Sequence, residues 1–236
     1  MVRFKQTYEQ YWKLRQATVG CSVRHCAEPN EILESVAPVL EGGRRILDVG
    51  CGEGTIAEIA RDRFKDLYGC DLSETALREA SKRGEAGVCA DLNGANLPYR
   101  DGTFDCVTCL EVIEHVFDPV HLLKELYRVL RARGQVVLTT PNFRYFRNVA
   151  KLVLGGRFPH TTADTFVWGG GHLHYFTRKD LTYLLHEAGF TDCQFIVNVE
   201  QFERSWKRRL LAKIIGLDAF GEWLCGGITV SAYKRK

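Results

Sequence analysis

The sequence predicts an α/β domain built on a mostly parallel sheet of seven strands covered by helices. Three observations predict it. Strand-like runs alternate with helical patterns from residue 44 onward, the pattern of a parallel sheet with crossover helices. A glycine-rich turn follows the first of those runs. The length of 236 residues with 45% hydrophobic content suits one sizeable core with one elaborated loop, so we expect a single domain over 1–236.

The strand candidates in the first half are Arg45–Val49, Leu67–Asp71, Gly87–Asp91, Phe104–Leu110 and Gln135–Thr140, each short, apolar and followed by polar or glycine-bearing residues. Helices are expected over Thr55–Phe64, Ser73–Arg83 and Pro119–Arg131, with Ser73 as an N-cap. Leu122, Leu123, Leu126 and Leu130 form a stripe that would face the sheet. Residues 141–176 are rich in aromatics and glycine without a clean period, and a stretch this long reads as a functional lid. Thr177 and Asp180 give a helix start signal before Leu181, Leu184 and Leu185, and Gly189 ends that helix. A strand near Cys193–Val199 follows. A basic helix near Glu203–Ile215, within the 200–226 stretch, precedes a last strand near Ile228–Tyr233. Residues 1–40 read as an amphipathic helical cap packed on the sheet or over the site.

Composition narrows the function classes. A net charge of +3 with 26% charged residues does not mark a dedicated nucleic-acid binder. The N-terminus has no apolar signal core, and the most apolar long stretch, Leu211 to Val230, is broken by Lys213, Asp218 and Glu222. Nine scattered cysteines suit small buried side chains in a reducing compartment, so a cytoplasmic protein is expected. Cys106 and Cys109 form a C-x-x-C, but residues three apart on a strand point to opposite faces, which argues against a metal or redox pair.

The run ILDVGCGEG, Ile46 to Gly54, carries the strongest chemical signal. Gly50, Gly52 and Gly54 permit a tight turn and close backbone approach to a ligand, and the helix expected after them points its positive end at that ligand. Asp71, twenty-one residues after Gly50, is suited to a ribose hydroxyl pair, and Asp91 ends the third strand candidate in the same way. A nicotinamide dinucleotide fits less well. The spacing is G-x-G-x-G, and Asp48 before the first glycine would repel a pyrophosphate. A cationic ligand such as S-adenosylmethionine would be attracted by that acid.

ILDVGCGEG, YGCDLS, LPYRDGTFDCVTCLEVIEHV and TPN together resemble class I S-adenosylmethionine-dependent methyltransferases, densely over residues 44–142. The resemblance implies a doubly wound, Rossmann-like sheet of order 3-2-1-4-5-7-6 with strand 7 antiparallel. It implies that Asp48, Gly50, Cys51 and Gly52 line the methionine moiety and that Asp71 holds the ribose. Leu72, Asp91 and Leu92 would meet the adenine, with Leu110 and Glu111 near the sulfonium. A second resemblance, of PNFRYFRNVAKLVLGGRFPHTTADTFVW and HLHYFTRKDL, is to the methionine-biosynthesis MetW family, which implies partnership with a homoserine acyltransferase. The chain departs from that family in carrying EVIEH after the fourth strand.

Glu111, Glu114 and His115 lie at i, i+3 and i+4, so a helix starting there would put them on one face at the ligand-binding edge of the sheet. Two carboxylates and an imidazole can ligate a divalent ion such as Mg2+, and a bound ion lowers the pKa of a hydroxyl. The cluster is similar to metal sites of ubiquinone-pathway O-methyltransferases and of small-RNA terminal 2′-O-methyltransferases, where a later histidine completes the set. His172 and His174 are available for that part, and His174 is the expected fourth ligand. Catalysis by His115, Glu111 and His174 without a metal stays open, as does plain packing against a helix dipole. Phe143, Tyr145, Phe146, Phe158, Phe166, Trp168 and Tyr175 would wall an acceptor pocket or pack the lid. Arg204, Lys207, Arg208, Arg209 and Lys213 give a basic helix face. The expected function is methyl transfer to a small-molecule acceptor, most simply at oxygen. The alternatives are a MetW-like acyltransferase partner and an RNA 2′-O-methyltransferase.

Overall fold

The computed structural model describes residues 5–6, 8–13, 29–159, 171–196 and 217–235. Its strands are β1 (Gly43–Val49), β2 (Phe64–Asp71), β3 (Ala86–Cys89), β4 (Phe104–Leu110), β5 (Leu130–Pro141), β6 (Phe190–Ile196) and β7 (Gly227–Lys234). They form one seven-stranded sheet in the order β3-β2-β1-β4-β5-β7-β6. The first five strands are parallel, and β7 runs antiparallel to both β5 and β6. This is the expected doubly wound topology.

The helices are α1 (Pro29–Val36), α2 (Ala57–Ala60), α3 (Glu74–Lys82), α4 (Pro119–Val129), α5 (Phe146–Gly155), α6 (Arg178–Glu187) and α7 (Leu217–Leu224). Residues 8–13 are also helical. Among the described residues no helix is long and apolar enough to cross a membrane.

Strand alternation builds two cores. Leu47, Val49, Val107 and Cys109 turn to one face, where Leu122 and Leu126 of α4 and Leu181 and Leu185 of α6 cover them. Ile46, Cys106 and Val137 turn to the other, under Leu33 and Val36 of α1 and Ile56 and Ala60 around α2. The central strands are buried on both faces, as parallel strands must be. Cys106 and Cys109 therefore sit in different cores, and burial pushes both thiols up.

Local capping fixes several boundaries. The Ser73 hydroxyl accepts from Ala76 N at 3.1 Å and starts α3. Asp118 accepts from His121 N with Pro119 in the first turn of α4. Thr177 and Asp180 make a reciprocal capping box on α6. Four expectations need correction. The helix expected over Thr55–Phe64 shrinks to α2, because β2 already begins at Phe64 and the chain turns just before it. The third strand ends at Cys89, two residues short of Asp91. The α4 helix passes directly into β5 at Leu130, where Arg133 takes a left-handed φ of 63° and the register against β4 shifts. The lid contains a regular helix, α5, whose apolar residues face outward and so gave no core-facing period. The basic helix expected over 203–215 lies outside the described residues.

Candidate functional site

The glycine turn lies at the C-terminal edge of the sheet between β1 and α2. Gly50 N and Cys51 N both donate to Cys70 O, at 2.8 and 3.1 Å, so the turn folds over the end of β2. Gly50, Gly52 and Gly54 have φ of 73°, 51° and 74°, the left-handed region that L side chains avoid. A Cβ on Gly50 would stand 2.3 Å from Val112 Cγ2, and one on Gly54 would stand 2.8 Å from Ala80 Cα. Two of the glycines are thus required by close packing as well as by conformation.

Asp48 and Asp71 lie on either side of this turn, both buried. Thr108 Oγ1 donates to Asp48 Oδ1 at 2.7 Å. Burial pushes the Asp48 carboxyl up to about 7, the Thr108 bond opposes that, and the charge of Asp71 adds to it. Asp71 accepts from Gly52 N at 3.0 Å and Ser73 N at 2.9 Å. Burial raises its pKa, and those backbone bonds oppose the rise. Each bonded oxygen keeps a second lone pair.

The N-terminal helical residues close over the same place. Trp12 is buried, and its Cη2 would lie 3.1 Å from a Cβ on Gly52. The Tyr8 hydroxyl is pushed up by burial and then by the charge of Asp71. Glu9 accepts from the hydroxyls of Ser73, at 2.8 Å, and Thr75, tying this segment to the start of α3. The sequence pointed to a cap but not to these residues.

Glu85 was also not foreseen. It is buried beneath the turn, with neither carboxylate oxygen hydrogen-bonded. Its oxygens would lie 2.9 and 2.6 Å from Cβ atoms added at Gly54 and Gly69. Burial and then the charge of Asp48 push it up to about 9, so it holds a proton at neutral pH. Its only sequence signal is an acid immediately before a strand of apolar and small residues.

Leu72 follows β2 half-buried, and its carbonyl accepts from Cys89 Sγ at 3.5 Å. Asp91 is half-buried and accepts from Asn93 N at 2.9 Å, while Leu92 packs against the first core. Leu110 is half-buried at the end of β4.

The EVIEH segment is a turn, not the start of a helix, which corrects the expected geometry. Glu111 takes a left-handed φ of 55°, and its N–H donates to both Thr139 O and Thr139 Oγ1 at 3.1 Å. His115 N then donates to Val112 O at 2.9 Å. Glu114 is fully buried. Its Oε2 accepts from Thr140 Oγ1 at 3.0 Å, and its Oε1 has no hydrogen-bond partner. Burial pushes Glu111 up to about 7. Burial and then the charge of Glu111 push Glu114 well above the usual carboxylate range.

Glu114, His115 and His172 come together, with one ligand atom from each within 4.8 Å of the others. The rings of His115 and His172 meet edge to face at 4.7 Å. Burial and then His115 push His172 down to about 4. His174, the expected ligand, is placed elsewhere: its Nε2 is 3.0 Å from Val116 O and its ring stacks on Phe176. Leu173 N and His174 N both donate to Glu114 O, and this register turns His172, not His174, toward the cluster. Glu111 is likewise outside the three-residue group. Phe143, Phe158 and Tyr175 pack together at 4.9–5.5 Å, and Tyr175 lies 6.3 Å from His172. Phe166 and Trp168 lie outside the described residues.

Sequence comparison decides the family. A family model described as a methyltransferase domain matches residues 21–194. The chain belongs to the methyltransferase-domain family. Its fold is the class I, S-adenosylmethionine-dependent type. This methyltransferase-domain chain is 36% identical over 105 residues to a ubiquinone biosynthesis O-methyltransferase of Pseudomonas aeruginosa, covering 42% of the chain and 45% of that protein. It is 31% identical over 183 residues to a probable S-adenosylmethionine-dependent methyltransferase of Mycolicibacterium smegmatis, covering 77% of the chain and 60% of that protein. A solved structure from Thermotoga maritima, described as an S-adenosylmethionine-dependent methyltransferase and possible histamine N-methyltransferase, matches with a TM-score of 0.64 at 21% identity. That match covers 99% of the chain and 97% of the other. The chain spans about half the length of the Pseudomonas relative it matches.

Proposed function

We propose that the protein transfers a methyl group from S-adenosylmethionine to a hydroxyl of a small molecule. The observation that carries this reading is the buried acid–glycine turn, with Asp48 and Asp71 converging on it beside the Glu114–His115–His172 cluster. In this reading Asp48, Gly50, Cys51 and Gly52 receive the methionine part of the donor, whose amino group and sulfonium are cationic. The charge favours ionised Asp48. Asp71 uses its remaining lone pairs for the ribose hydroxyls. Leu72, Asp91 and Leu92 border the adenine, and Leu110 and Glu111 lie toward the sulfonium.

The acceptor oxygen attacks the methyl carbon, the carbon–sulfur bond breaks, and the sulfur keeps the electron pair as a neutral thioether. The hydroxyl proton needs a base, and His115 or His172 supplies one. Burial keeps His172 unprotonated at neutral pH, and the same burial makes it a weak proton acceptor, which favours His115 in that role. Most of the acceleration comes from aligning donor and oxygen, which the tightly packed turn favours.

The unpartnered Glu114 Oε1 favours a second reading, in which Glu114, His115 and His172 hold a divalent ion. Two imidazoles and one carboxylate suit manganese, iron or zinc better than magnesium, which prefers oxygen ligands. Such an ion lowers the pKa of a hydroxyl bound to it. Glu111 and His174 have no part in that set. The relatives give no support to partnership with an acyltransferase.

The test is turnover of S-adenosylmethionine with catechol-type and other hydroxyl acceptors, with chelator and then with manganese. His115→Ala and His172→Ala should each lower turnover while leaving donor affinity nearly unchanged, because the loss lies in the transition state. Full turnover in both variants would refute the assignment of the base. Loss with chelator and recovery with manganese would select the metal reading.

A further inference from the structure

The outer face of α5 presents apolar side chains that nothing in the methyl-transfer reading uses. Val153 is 71% exposed, Leu154 86% and Phe146 43%, and Phe158 just beyond the helix is 52% exposed. At about 100° per residue these helical positions, with Ala150, fall on one arc. Arg147 and Lys151, one turn apart, border that arc on one side. The opposite side carries buried Asn148, whose Nδ2 donates to Asn142 O at 3.1 Å and holds the helix to the end of the sheet. The apolar arc is therefore turned outward by a fixed anchor on the other face. The helix ends at Gly156, with a left-handed φ of 59°, which turns the chain back toward Phe158.

Charge identifies what such a ridge meets. Residues 142–163 contain Arg144, Arg147, Lys151 and Arg157 and no Asp or Glu. Arg144 is committed to Glu222 at 2.9 Å, whereas Arg147, Lys151 and Arg157 are exposed, with the Arg147 guanidinium 5.9 Å from the Phe146 ring. An exposed helix edge with branched and aromatic side chains bordered on one side by cations suits insertion among acyl chains beneath anionic head groups. It suits a protein groove less, because a groove partner would need acids placed against each cation. The ridge also joins the site: Phe158 lies 4.9 Å from Tyr175, which lies 6.3 Å from His172.

We propose that α5 and the turn after it dock the protein on an anionic phospholipid surface, placing the mouth of the acceptor site at the membrane interface. The docking itself rests on the exposed face of α5, and the placing of an acceptor mouth beside it rests on the methyl-transfer reading. The test is flotation of the full chain with neutral phosphatidylcholine vesicles and with vesicles that also contain phosphatidylglycerol. Flotation with the anionic vesicles only, weakened by high salt, is expected. The double substitution Val153→Asp with Leu154→Asp should lower vesicle affinity by roughly tenfold or more, and Lys151→Glu with Arg157→Glu by a similar factor. Both pairs should leave the melting temperature unchanged, since these side chains are exposed. Absence of flotation, equal binding to neutral vesicles, or wild-type binding by the charge-reversed variant would overturn the proposal. So would a dimer that the Asp variant converts to a monomer, because the ridge would then be an interface between copies of the chain.

Discussion

Gly50→Ala is the sharpest perturbation of the donor turn, and its cost can be worked in parts. Residue 50 has φ of 73°, and placing an L side chain there costs about 1–2 kcal/mol. The new methyl would meet Val112 Cγ2 at 2.3 Å and Cγ1 at 3.2 Å, an overpacking that costs about 1–3 kcal/mol. The total is roughly 2–5 kcal/mol. The two parts separate experimentally. Val112→Ala removes both γ-methyls and leaves Cβ at 3.4 Å, an ordinary contact. By itself that change should cost roughly 1 kcal/mol, since Val112 is half-buried. In the double variant the steric part disappears and the conformational part remains, a favourable coupling of about 1–3 kcal/mol. Urea denaturation of the four proteins at one pH measures the cycle. An additive cycle, or a Gly50→Ala protein as stable as the parent, would refute the packing described for this turn.

Two further outcomes follow from buried polar groups. Glu85, carried up to about 9 from a usual 4.5, binds its proton more tightly folded than unfolded. Stability should therefore fall as pH rises from about 4.5 to about 9, by at most about 1.4 kcal/mol per pH unit from this group. Glu85→Gln, which keeps the shape without the proton equilibrium, should flatten that slope, and denaturation curves at several pH values check it; an unchanged slope would count against a proton held on Glu85. Arg128 bridges Leu97 O, Tyr99 O, Asp101 and Glu125 at 2.7–2.9 Å, so Arg128→Ala should cost roughly 1.5–3 kcal/mol and speed amide exchange at Leu97 and Tyr99. Unaltered exchange there would show that the 97–101 segment is held by something else.

Features whose cause is local were legible in the sequence. Ser73, the Thr177–Asp180 box and the glycines of the turn each act within a few residues, and the structure places them as read. Features set by distant packing were not. Glu85 becomes buried because the start of β3 faces Gly54 and Gly69, which are far from it in sequence. Glu111 leaves the helical path because its N–H is taken by Thr139 of β5, and that turn sets the directions of Glu114 and His115. His172 and His174 look interchangeable in the sequence. Only the bonds of the two following amides to Glu114 O decide which ring faces the cluster. The α5 helix was missed because its apolar arc faces away from the core, the reverse of what a core-directed period detects.

The central claim is that the turn between Asp48 and Asp71 is an S-adenosylmethionine site. Calorimetric titration of the protein with S-adenosylmethionine and, separately, with NADH tests it most directly. Asp71→Ala also removes the acceptor of the Gly52 and Ser73 amides, so its thermal melting is recorded alongside. Saturable binding of S-adenosylmethionine is expected, weakened by roughly 1–3 kcal/mol in a folded Asp71→Ala protein, with no heat from NADH. Tight NADH binding with no response to S-adenosylmethionine would contradict it.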